Sequence, residues 1–402
     1  MNQTISIINL ELKDYENKFH LKSKKNLLCS LDWVLKSEPS KIKKSRKVLS
    51  VVDLFCGCGG MTLGITEALN FNNLGIEIKL AVDTDEKILE TYKKNFNVNN
   101  EIAINKNINE LVSRNITKIE LNDSEKSIKK NFENIDLLVA GPPCQGHSNL
   151  NNHTRGNDPR NDLYFNVIRF IEITKPKVAI IENVETITRD EDNIIEKSKR
   201  FLEKNYNIEE LFVDISEIGL PQTRKRHILI AVQDKNFKTV DFYNEKNRMK
   251  STLSDFIGDI VDENKLKKGI FFEPSEMRKL TKERVDYLFE NNIFDLPDSK
   301  RPNCHKNKKH TYTAMYGRLK WDKPAQTITR GFGSMGQGRF VHPIRKRVIT
   351  PHEAARIQGF PDFFDFTEVK LRSKLHLMIA NAVPPRVVAL IINSLIQQKI
   401  LK

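Results

Sequence analysis

The stretch "KVLSVVDLFCGCGGMTLGITEALN", residues 47–70, decides the fold class of this chain. It begins as an apolar run without polar alternation, continues through a glycine-rich turn, and ends with apolar residues at helical spacing. A strand buried on both faces has the first pattern, and an amphipathic helix has the last. The stretch therefore predicts a buried strand that passes directly into a helix.

Three later apolar runs repeat this pattern: "IKLAVD" (78–83), "IDLLVAG" (135–141) and "KVAIIENV" (177–184). Helical patterns lie between them, and residues 207–232 add two more strands joined by a basic loop. Strands that alternate with helices predict an α/β fold with a doubly wound, mostly parallel sheet. Ligands of such sheets bind beyond the carboxyl ends of the strands, so we expect functional residues directly after these runs.

The composition indicates a folded protein that attracts polyanions. The 402 residues are 39% apolar, and 66 Lys and Arg exceed 52 Asp and Glu, which gives a net charge of +14. Such a surplus concentrates nucleic acid near the protein, although ribosomal and membrane-surface proteins share it. Scattered cysteines, the lack of a signal-peptide pattern, and the lack of an apolar run near the roughly 18 residues of a membrane span predict a cytoplasmic protein.

The N-terminal patch "LLCSLDWVL" (27–35) could form one short amphipathic helix. Packing of this helix on the main domain and a role as a DNA-binding or partner-binding arm both remain open.

The glycine-rich turn after the first strand predicts a ligand site. Gly57, Gly59 and Gly60 would let the main chain approach a ligand and direct amide groups at it. NAD, FAD and adenosyl cofactors all use such turns, but these glycines do not fit the G-x-G-x-x-G spacing of dinucleotide sites. Asp83 is placed to accept hydrogen bonds from ribose hydroxyls, or else to cap the next helix, a role that Asp85 could also fill.

A thiol follows two prolines at the end of the third run. Pro142 and Pro143 fix the backbone beneath Cys144, so the thiol is oriented before a substrate arrives, as a positioned nucleophile is. Taken alone, such a cysteine could also be a small buried apolar residue. Glu182 ends the neighbouring run, where burial would allow its carboxyl group to hold or donate a proton.

Two arginines in "QTRKR" (222–226) supply positive charge to this predicted site. Arg224 and Arg226 stand two residues apart on a strand edge, so both side chains can face one side. A cysteine, a glutamate and two arginines at one sheet edge suit addition to an electron-poor ring that must be protonated as it is attacked. A cytosine ring has that character.

The ordered motifs of residues 48–400 resemble those of DNA (cytosine-5) methyltransferases of the prokaryotic, restriction-modification type. They are "DLFCGCGG", "AVDTD", "GPPCQGHS", "ENV", "QTRKR", the block from "RGFGSMGQGRFVHP" to "TPHEAARIQGFPD", and "NAVPP". The resemblance implies the Rossmann-like fold of S-adenosylmethionine-dependent methyltransferases with a second, smaller target-recognition domain. Residues 1–47 would be a basic N-terminal extension, and residues 48–236 a catalytic and cofactor-binding domain. Residues 237–345 would be the target-recognition domain, and residues 346–402 a C-terminal return to the catalytic domain.

The resemblance also implies the reaction, which is methyl transfer from S-adenosyl-L-methionine to C5 of a cytosine flipped out of a specific double-stranded DNA sequence. Cys144 would add covalently to C6 of the ring. Glu182 would bind N3 and the exocyclic amine, while Arg226 would contact O2 and steady Glu182. Arg224 would support the same pocket.

The cofactor residues that the resemblance implies are Phe55, Gly57, Gly59, Asp83, Asn107, Pro142, Asn381 and Val383. Two positions depart from the family pattern. Asn107 replaces the acid that meets the adenine amine, and Ala380 replaces the glycine that usually precedes Asn381. An amide oxygen can still accept that hydrogen bond, so we expect weaker rather than abolished cofactor binding.

The implied DNA contacts fall in two segments. Ser148 and Arg160 belong to a polar loop after Cys144 that resembles the family's mobile loop. The others lie in the glycine-rich block, where glycine allows close approach to a groove and arginine or glutamine can read base edges or bind phosphates: Arg330, Gly331, Gly333 and Gln337.

The implied partners are double-stranded DNA and a cognate restriction endonuclease, and we expect the enzyme to be a monomer. No metal site is expected, because "CHKNKKH" (304–310) lacks the ligands of a closed tetrahedral set. Two alternatives stay open. One is a transfer-RNA cytosine methyltransferase of the related branch, and the other is a non-catalytic DNA-binding relative, which the presence of Cys144, Glu182 and Arg226 disfavours.

Overall fold

The computed structural model describes residues 31–39, 47–143, 163–189, 193–241, 250–260, 268–303, 305–306 and 315–402. The chain divides into two compact units. The sheet unit comprises Ser40–Asp214, Lys225–Asn244 and Ala382–Lys402, and the second unit comprises Met1–Pro39, Ile215–Arg224 and Glu245–Asn381. Cys144, Ser148, Arg160 and most of the stretch 304–310 lie outside the described residues.

The elements are numbered along the chain within the described residues. The strands are β1 (Val48–Leu54), β2 (Gly75–Asp83), β3 (Ala103–Asn105), β4 (Leu137–Ala140), β5 (Val178–Val184), β6 (Asn207–Asp214), β7 (Gln222–Thr223), β8 (Lys225–Val232), β9 (Gly317–Arg318), β10 (Ala325–Gln326) and β11 (Arg339–Val341). The α-helices are α1 (Leu31–Val34), α2 (Gly60–Phe71), α3 (Glu86–Phe96), α4 (Ile108–Leu111), α5 (Asp123–Phe132), α6 (Leu163–Thr174), α7 (Ile194–Leu202), α8 (Ser254–Ile257), α9 (Lys279–Glu290), α10 (Pro351–Ile357), α11 (Arg372–Asn381) and α12 (Pro385–Gln397).

One seven-stranded sheet forms the centre of the sheet unit. Its strand order is β3-β2-β1-β4-β5-β8-β6, and its pairs are parallel except those of β8, which runs antiparallel to β5 and β6. The mostly parallel α/β fold expected from the sequence is therefore confirmed. All four predicted runs form strands, because apolar side chains on both sides of a strand require cover on both faces of the sheet.

Helices cover both faces of this sheet. Side chains alternate along β2, so that Leu80 and Val82 join a core cluster with residues of α4 to α7, while Ala81 joins a separate cluster with residues of α3. Helix α2 packs closely against α12. The last helix of the chain, α12, therefore belongs to the sheet unit.

The region 207–232 differs from the expected two strands joined by a basic loop. Lys225 and Arg226 are not in a loop but begin strand β8, and the short strand β7 precedes them. Arg224 lies between these strands and belongs to the second unit. The prediction of a loop was wrong because the charged residues interrupt the apolar pattern at the exposed end of an otherwise buried strand.

The second unit contains two short parallel ladders, β7 with β10 and β9 with β11. This unit combines segments that lie far apart in the sequence. The contacts assign residues 346–381 to this unit and only Ala382–Lys402 to the sheet unit, whereas the sequence-based boundary stood at 346. Helix α10 contacts both α11 and α8, which draws the C-terminal block toward the polar middle of the chain.

Helix α1 packs within the second unit. The Trp33 indole Nε1 donates to the carbonyl oxygen of Gly359 at 2.8 Å, and its ring meets Phe363 edge-on at 5.9 Å. Two main-chain bonds, from Asp362 to Val34 and from Phe363 to Lys36, complete the contact. Of the two open roles of the N-terminal patch, helix packing is confirmed, although the helix packs on the second unit.

One stretch, Arg372–Gln397, is long and apolar enough to cross a membrane by length and composition, contrary to the expectation from sequence. However, the apolar 18-residue segment within this stretch is 89% buried inside the protein, as in the core helix of a soluble domain.

Candidate active site

The turn between β1 and α2 has three residues with positive φ: Phe55 at 57°, Gly57 at 53° and Gly59 at 95°. A Cβ atom on Gly59 would lie 2.2 Å from the Phe96 ring, so this position needs glycine for packing as well as for its backbone conformation. A Cβ atom on Gly57 would meet nothing within 4 Å. Open space therefore lies beside Gly57, where a ligand can approach the main chain.

Asp83, at the carboxyl end of β2, holds this turn. Its Oδ2 accepts from the Gly57 amide at 2.9 Å, and its Oδ1 accepts from the Asp85 amide at 3.0 Å. Burial raises the pKa of Asp83, while these amide donors oppose the rise. Asp85 is the cap of α3, where it accepts from the Lys87 amide, so the helix-capping alternative applies to Asp85.

Asp53 is a buried carboxylate next to the turn that sequence reasoning did not single out. Its Oδ2 accepts from the Thr62 hydroxyl at 2.6 Å, and the Thr62 hydroxyl lies 2.9 Å from the Tyr92 hydroxyl. Because Thr62 has one proton to give, Tyr92 must be the donor in the second bond. Burial raises the pKa of Asp53 to about 7. The signal in the sequence is a single acid inside an apolar run.

Asn107 lies beyond the end of β3, close to the same edge of the sheet. Asn105 is the register partner of Asp83, and the Lys106 amide donates to the Asp83 carbonyl oxygen at 3.1 Å. Asn107 is exposed and caps α4, with its Oδ1 accepting from the Asn109 amide at 3.0 Å. The capping box also directs the Glu110 amide at the Asn107 side chain, so both lone pairs of its amide oxygen are used by the cap.

The main chain that leads to Cys144 is anchored on two sides. The Gly141 amide donates to the Leu54 carbonyl oxygen at 3.2 Å, and the Asn183 side-chain amide donates to the Pro142 carbonyl oxygen at 3.3 Å. Asn183 is buried. This second missed residue directly follows Glu182 in "ENV", and it adds a bond from β5 to the rigidity that the prolines supply.

Glu182 and Arg226 form a close ion pair at the carboxyl end of β5. Arg226 Nε lies 2.7 Å from Glu182 Oε1, and the two side chains are 13% and 11% exposed. Val184 is the register partner of Arg226, so Arg226 lies diagonally across from Glu182 on the same face of the sheet. The pairing agrees with the role expected for Arg226, which was to steady Glu182.

The other carboxylate oxygen of Glu182 faces Gly141. A Cβ atom on Gly141 would lie 3.9 Å from Glu182 Oε2 and 3.9 Å from Val383 Cγ2. A predicted catalytic residue and a predicted cofactor residue therefore converge on the segment that leads to Cys144. The absence of a side chain at Gly141 leaves space between them.

Arg224 has different partners from Arg226. Its guanidinium is buried and its Nη1 donates to the main-chain oxygens of Ala380 at 3.0 Å and Ile328 at 3.4 Å. The expectation that both arginines share one strand is wrong, because Arg224 lies outside the strands. Its contacts join two main-chain segments of the second unit, and its support of the base pocket stays a prediction.

Two glutamines that the sequence did not single out reinforce this region. The buried Gln222 donates to the Gln358 side chain at 2.9 Å and accepts from the Ile328 amide at 2.8 Å. Gln358 in turn donates to the Ile379 oxygen at 2.8 Å. The end of α11, where exposed Asn381 lies, is thus tied to the segment that precedes the glycine-rich block.

Within the glycine-rich block, Arg330 and Gln337 are exposed, as contact with a nucleic acid requires. The expected approach of Gly331 and Gly333 to a groove stays a prediction, and packing gives a further reason for glycine at both positions. A Cβ atom on Gly331 would lie 2.5 Å from Gln337 Cβ, and one on Gly333 would lie 2.2 Å from the His376 ring. Both positions therefore require glycine because the block packs tightly on its own unit.

Several known proteins are similar to this chain. The sequence profile of the C-5 cytosine-specific DNA methylases matches residues 49–397. Type II methyltransferase M1.BsuMI of Bacillus subtilis is 40% identical over 385 residues, which cover 94% of this chain and 86% of the relative. Type II methylase M.HgiDII of Herpetosiphon aurantiacus is 28% identical over 347 residues, which cover 83% and 91%.

A solved structure shows the same fold. The Entamoeba histolytica methyltransferase EhMeth superposes with a TM-score of 0.60 at 20% identity, over 88% of this chain and 99% of that one. The profile match spans most of the chain and coincides with the ordered motifs around the anchored segment and the Glu182–Arg226 pair. The chain therefore belongs to the C-5 cytosine-specific DNA methylase family and is a DNA cytosine methyltransferase.

Proposed function

We propose that this enzyme transfers the methyl group of S-adenosyl-L-methionine to C5 of a cytosine flipped out of a specific double-stranded DNA sequence. The observation that carries the proposal is the Glu182–Arg226 ion pair of 2.7 Å, in which the second carboxylate oxygen of Glu182 faces the segment before Cys144. A flipped base needs hydrogen-bond partners along its Watson–Crick edge, and a carboxylate with a guanidinium supplies them.

The residues of the β1–α2 turn suit S-adenosylmethionine, which supplies an electrophilic methyl group when it is bound. Gly57 leaves room for close approach, and Asp83 keeps lone pairs for ribose hydroxyls beyond those used by the amides of the turn. Asn107 would have to give up one of its cap bonds to accept from the adenine amine, in keeping with the weaker cofactor binding expected from its replacement of the acid. Val383 offers an apolar surface near Gly141. Phe55, Gly59, Pro142 and Asn381 complete the proposed set.

In the proposed reaction, the Cys144 thiolate forms a bond to C6 of the cytosine, and the electron pair of the C5–C6 double bond makes C5 nucleophilic. Glu182 gives its carboxyl proton to N3 as the ring is attacked, accepts a hydrogen bond from the exocyclic amine, and takes the N3 proton back when the ring is released. Arg226 fixes Glu182 through Nε and can reach O2 of the base with the rest of its guanidinium. After C5 has accepted the methyl group, a base removes the C5 proton, the S–C6 bond breaks, and the thiolate is restored.

We assign selection of the DNA sequence to the region 237–345, with Arg330 and Gln337 as exposed candidates for base or phosphate contacts. The Type II names of the relatives support a cognate restriction endonuclease as a functional partner. Ser148 and Arg160 remain candidates for contact with the flipped nucleotide and its phosphates. The enzyme would act as a monomer in the cytoplasm, where its DNA substrate lies.

The test is methylcytosine sequencing of the genome of a methylation-free bacterial host that expresses the protein. We expect methylation at one short sequence, and we expect Cys144→Ala and Glu182→Gln to abolish it. Glu182→Gln keeps the shape of the side chain and a hydrogen bond to Arg226, so its loss of activity would report chemistry rather than folding. The control is Glu77→Gln, which changes an exposed carboxylate of β2 that pairs with Lys79.

Full methylation by Cys144→Ala would disprove the covalent step, and full methylation by Glu182→Gln would disprove the role of the ion pair. An unmethylated genome, together with methylcytosine in transfer RNA, would show instead that the substrate is RNA.

A further inference from the structure

A pocket outside the candidate active site opens on the surface of the sheet unit. Its volume is about 490 Å³, and its walls come from residues 114–117, from the first turn of α6 and from one side of α7. This volume is within the range of small-molecule sites, roughly 300–1,000 Å³. None of its nine lining residues belongs to the turn, the ion pair or the glycine-rich block described above.

The wall of the pocket is cationic. Lys197, Arg200 and Lys204 follow one another at spacings of three and four residues along α7 and the turn after it, so they project from one side. Arg114 adds a fourth cation from the facing loop, and none of the nine lining residues is acidic. Four exposed cations around one cavity repel one another, and like charges at this spacing weaken a helix.

The opposite face of α7 is buried and holds the helix in place, so the helix can fold without these charges. Ile194, Ile195, Ser198 and Leu202 are buried and anchor the helix on the sheet unit. Lys197 lies near the helix N-terminus, where the helix dipole disfavours a cation. Folding of the helix therefore does not require the charges of Lys197 and Arg200, and these charges suit an anionic ligand.

The floor of the pocket is apolar. Phe165, Phe201 and Ile116 are only partly buried, and Lys204 Nζ lies 5.2 Å from the centroid of the Phe201 ring. Partly exposed rings beside cations favour a ligand that has a flat apolar group as well as negative charge. Inorganic phosphate would use the cations and leave the floor in contact with water.

The rim of the pocket carries hydrogen-bonding groups in a fixed loop. Asn115 Oδ1 accepts from the Thr117 amide at 3.0 Å and from the Thr117 hydroxyl at 2.8 Å. The arrangement orients the Asn115 side chain, whose amide nitrogen can donate to the edge of a ring. A flat ring, polar ring edges and two or more negative charges are the chemical features of a nucleotide.

We propose that this pocket binds a nucleotide, with its base against Phe165 and Phe201 and its phosphates on Arg114, Lys197, Arg200 and Lys204. The methyl donor does not suit it, because the sulfonium of S-adenosylmethionine is positive and would be repelled by four cations. The nucleotide could be a free nucleoside diphosphate or triphosphate, or an unpaired nucleotide of a nucleic-acid strand. Both present the same chemistry to the pocket.

The experiment titrates the full-length protein with ADP, ATP and a single-stranded oligonucleotide by calorimetry. The double variant Lys197→Glu with Arg200→Glu should bind each ligand at least about tenfold more weakly, because two attractive charges become repulsive. Lys130→Glu with Lys235→Glu makes the same change in net charge at two exposed lysines outside the pocket, and should bind as the wild type does. Matched thermal unfolding of both double variants would show that they fold.

Comparison of the ligands distinguishes a free nucleotide from a nucleic-acid strand and tests whether other ligands bind instead. Tighter binding of ADP or ATP than of the oligonucleotide would identify a free nucleotide, and the reverse would identify a nucleic-acid strand. The proposal fails if none of these ligands binds, if both double variants weaken binding equally, or if S-adenosylmethionine displaces the nucleotide. It also fails if inorganic triphosphate binds as tightly as ATP, or if an acidic peptide binds while the nucleotides do not.

Discussion

At the scale of single residues, Gly57 and Gly59 look equivalent in the sequence and serve different purposes in the structure. Both have positive φ, a backbone conformation that costs residues other than glycine conformational free energy. Gly59 is enclosed by Phe96 and Tyr92, whereas Gly57 faces open space. One glycine therefore serves the packing of the turn, and the other leaves room for the proposed cofactor.

This difference predicts opposite outcomes for two matched substitutions. Gly59→Ala should lower the free energy of unfolding by about 2–4 kcal/mol, since it combines left-handed strain with overpacking. Gly57→Ala should cost only about 1 kcal/mol in stability but should weaken the binding of S-adenosylmethionine. Urea unfolding and calorimetric titration measure the two effects. Equal losses of stability, or unchanged cofactor binding by Gly57→Ala, would contradict this division of roles.

At the scale of elements, the packing of α2 on α12 depends on one glycine in the middle of a helix. A Cβ atom on Gly64 would lie 2.2 Å from the Pro385 carbonyl oxygen and 3.2 Å from the Ala389 amide nitrogen. These neighbours are main-chain atoms, which cannot swing aside as a side chain can. Glycine here is unfavourable for the isolated helix, but it allows two helices of the sheet unit to approach closely.

We therefore expect Gly64→Ala to destabilise the protein, although the same change in an exposed helix would stabilise it by up to about 1 kcal/mol. Overpacking against α12 should lower the free energy of unfolding by about 1–3 kcal/mol. Thr66→Ala is the control on the same helix, because the Thr66 hydroxyl donates to the Thr62 carbonyl oxygen of its own helix. If urea unfolding showed Gly64→Ala to be more stable than the wild type, α2 and α12 would not be packed closely enough to exclude the methyl group.

At the scale of the whole molecule, both units are assembled from segments that are distant in sequence. The sheet unit takes its last helix from the C-terminus, and the second unit takes helix α1 from the N-terminus. Trp33 and Gly359 are 326 positions apart and yet share a buried hydrogen bond. The N-terminal extension therefore contributes to the fold of the second unit.

Trp33→Ala should lower the stability of the second unit by about 3 kcal/mol, because it removes a buried indole and leaves the Gly359 oxygen without its donor. Leu35→Ala, at a residue that is 38% exposed on the same segment, should have little effect. Differential scanning calorimetry can compare the two variants. Unchanged unfolding of Trp33→Ala with weaker DNA binding would favour the arm over the packing role.

The sequence by itself determined the α/β class, the four central strands, the position of the turn and the family. These features depend on local periodicity and on short motifs, which neighbouring residues specify. It also placed Glu182 and Arg226 at one edge, where β5 ends and the antiparallel strand β8 begins. The prediction of a basic loop at 222–226 was wrong, because the end of a buried strand can carry charged residues where it leaves the core.

Only the tertiary structure decided which side chains share a site and which hold it. Arg224 and Arg226 are two positions apart, yet one bonds to main-chain oxygens of the second unit and the other to Glu182. Asp53 and Asn183 are recognised as supports only when Thr62 and Pro142 are seen beside them. The physical reason is that packing and hydrogen bonding join residues that are distant along the chain, and no local pattern encodes such a partner.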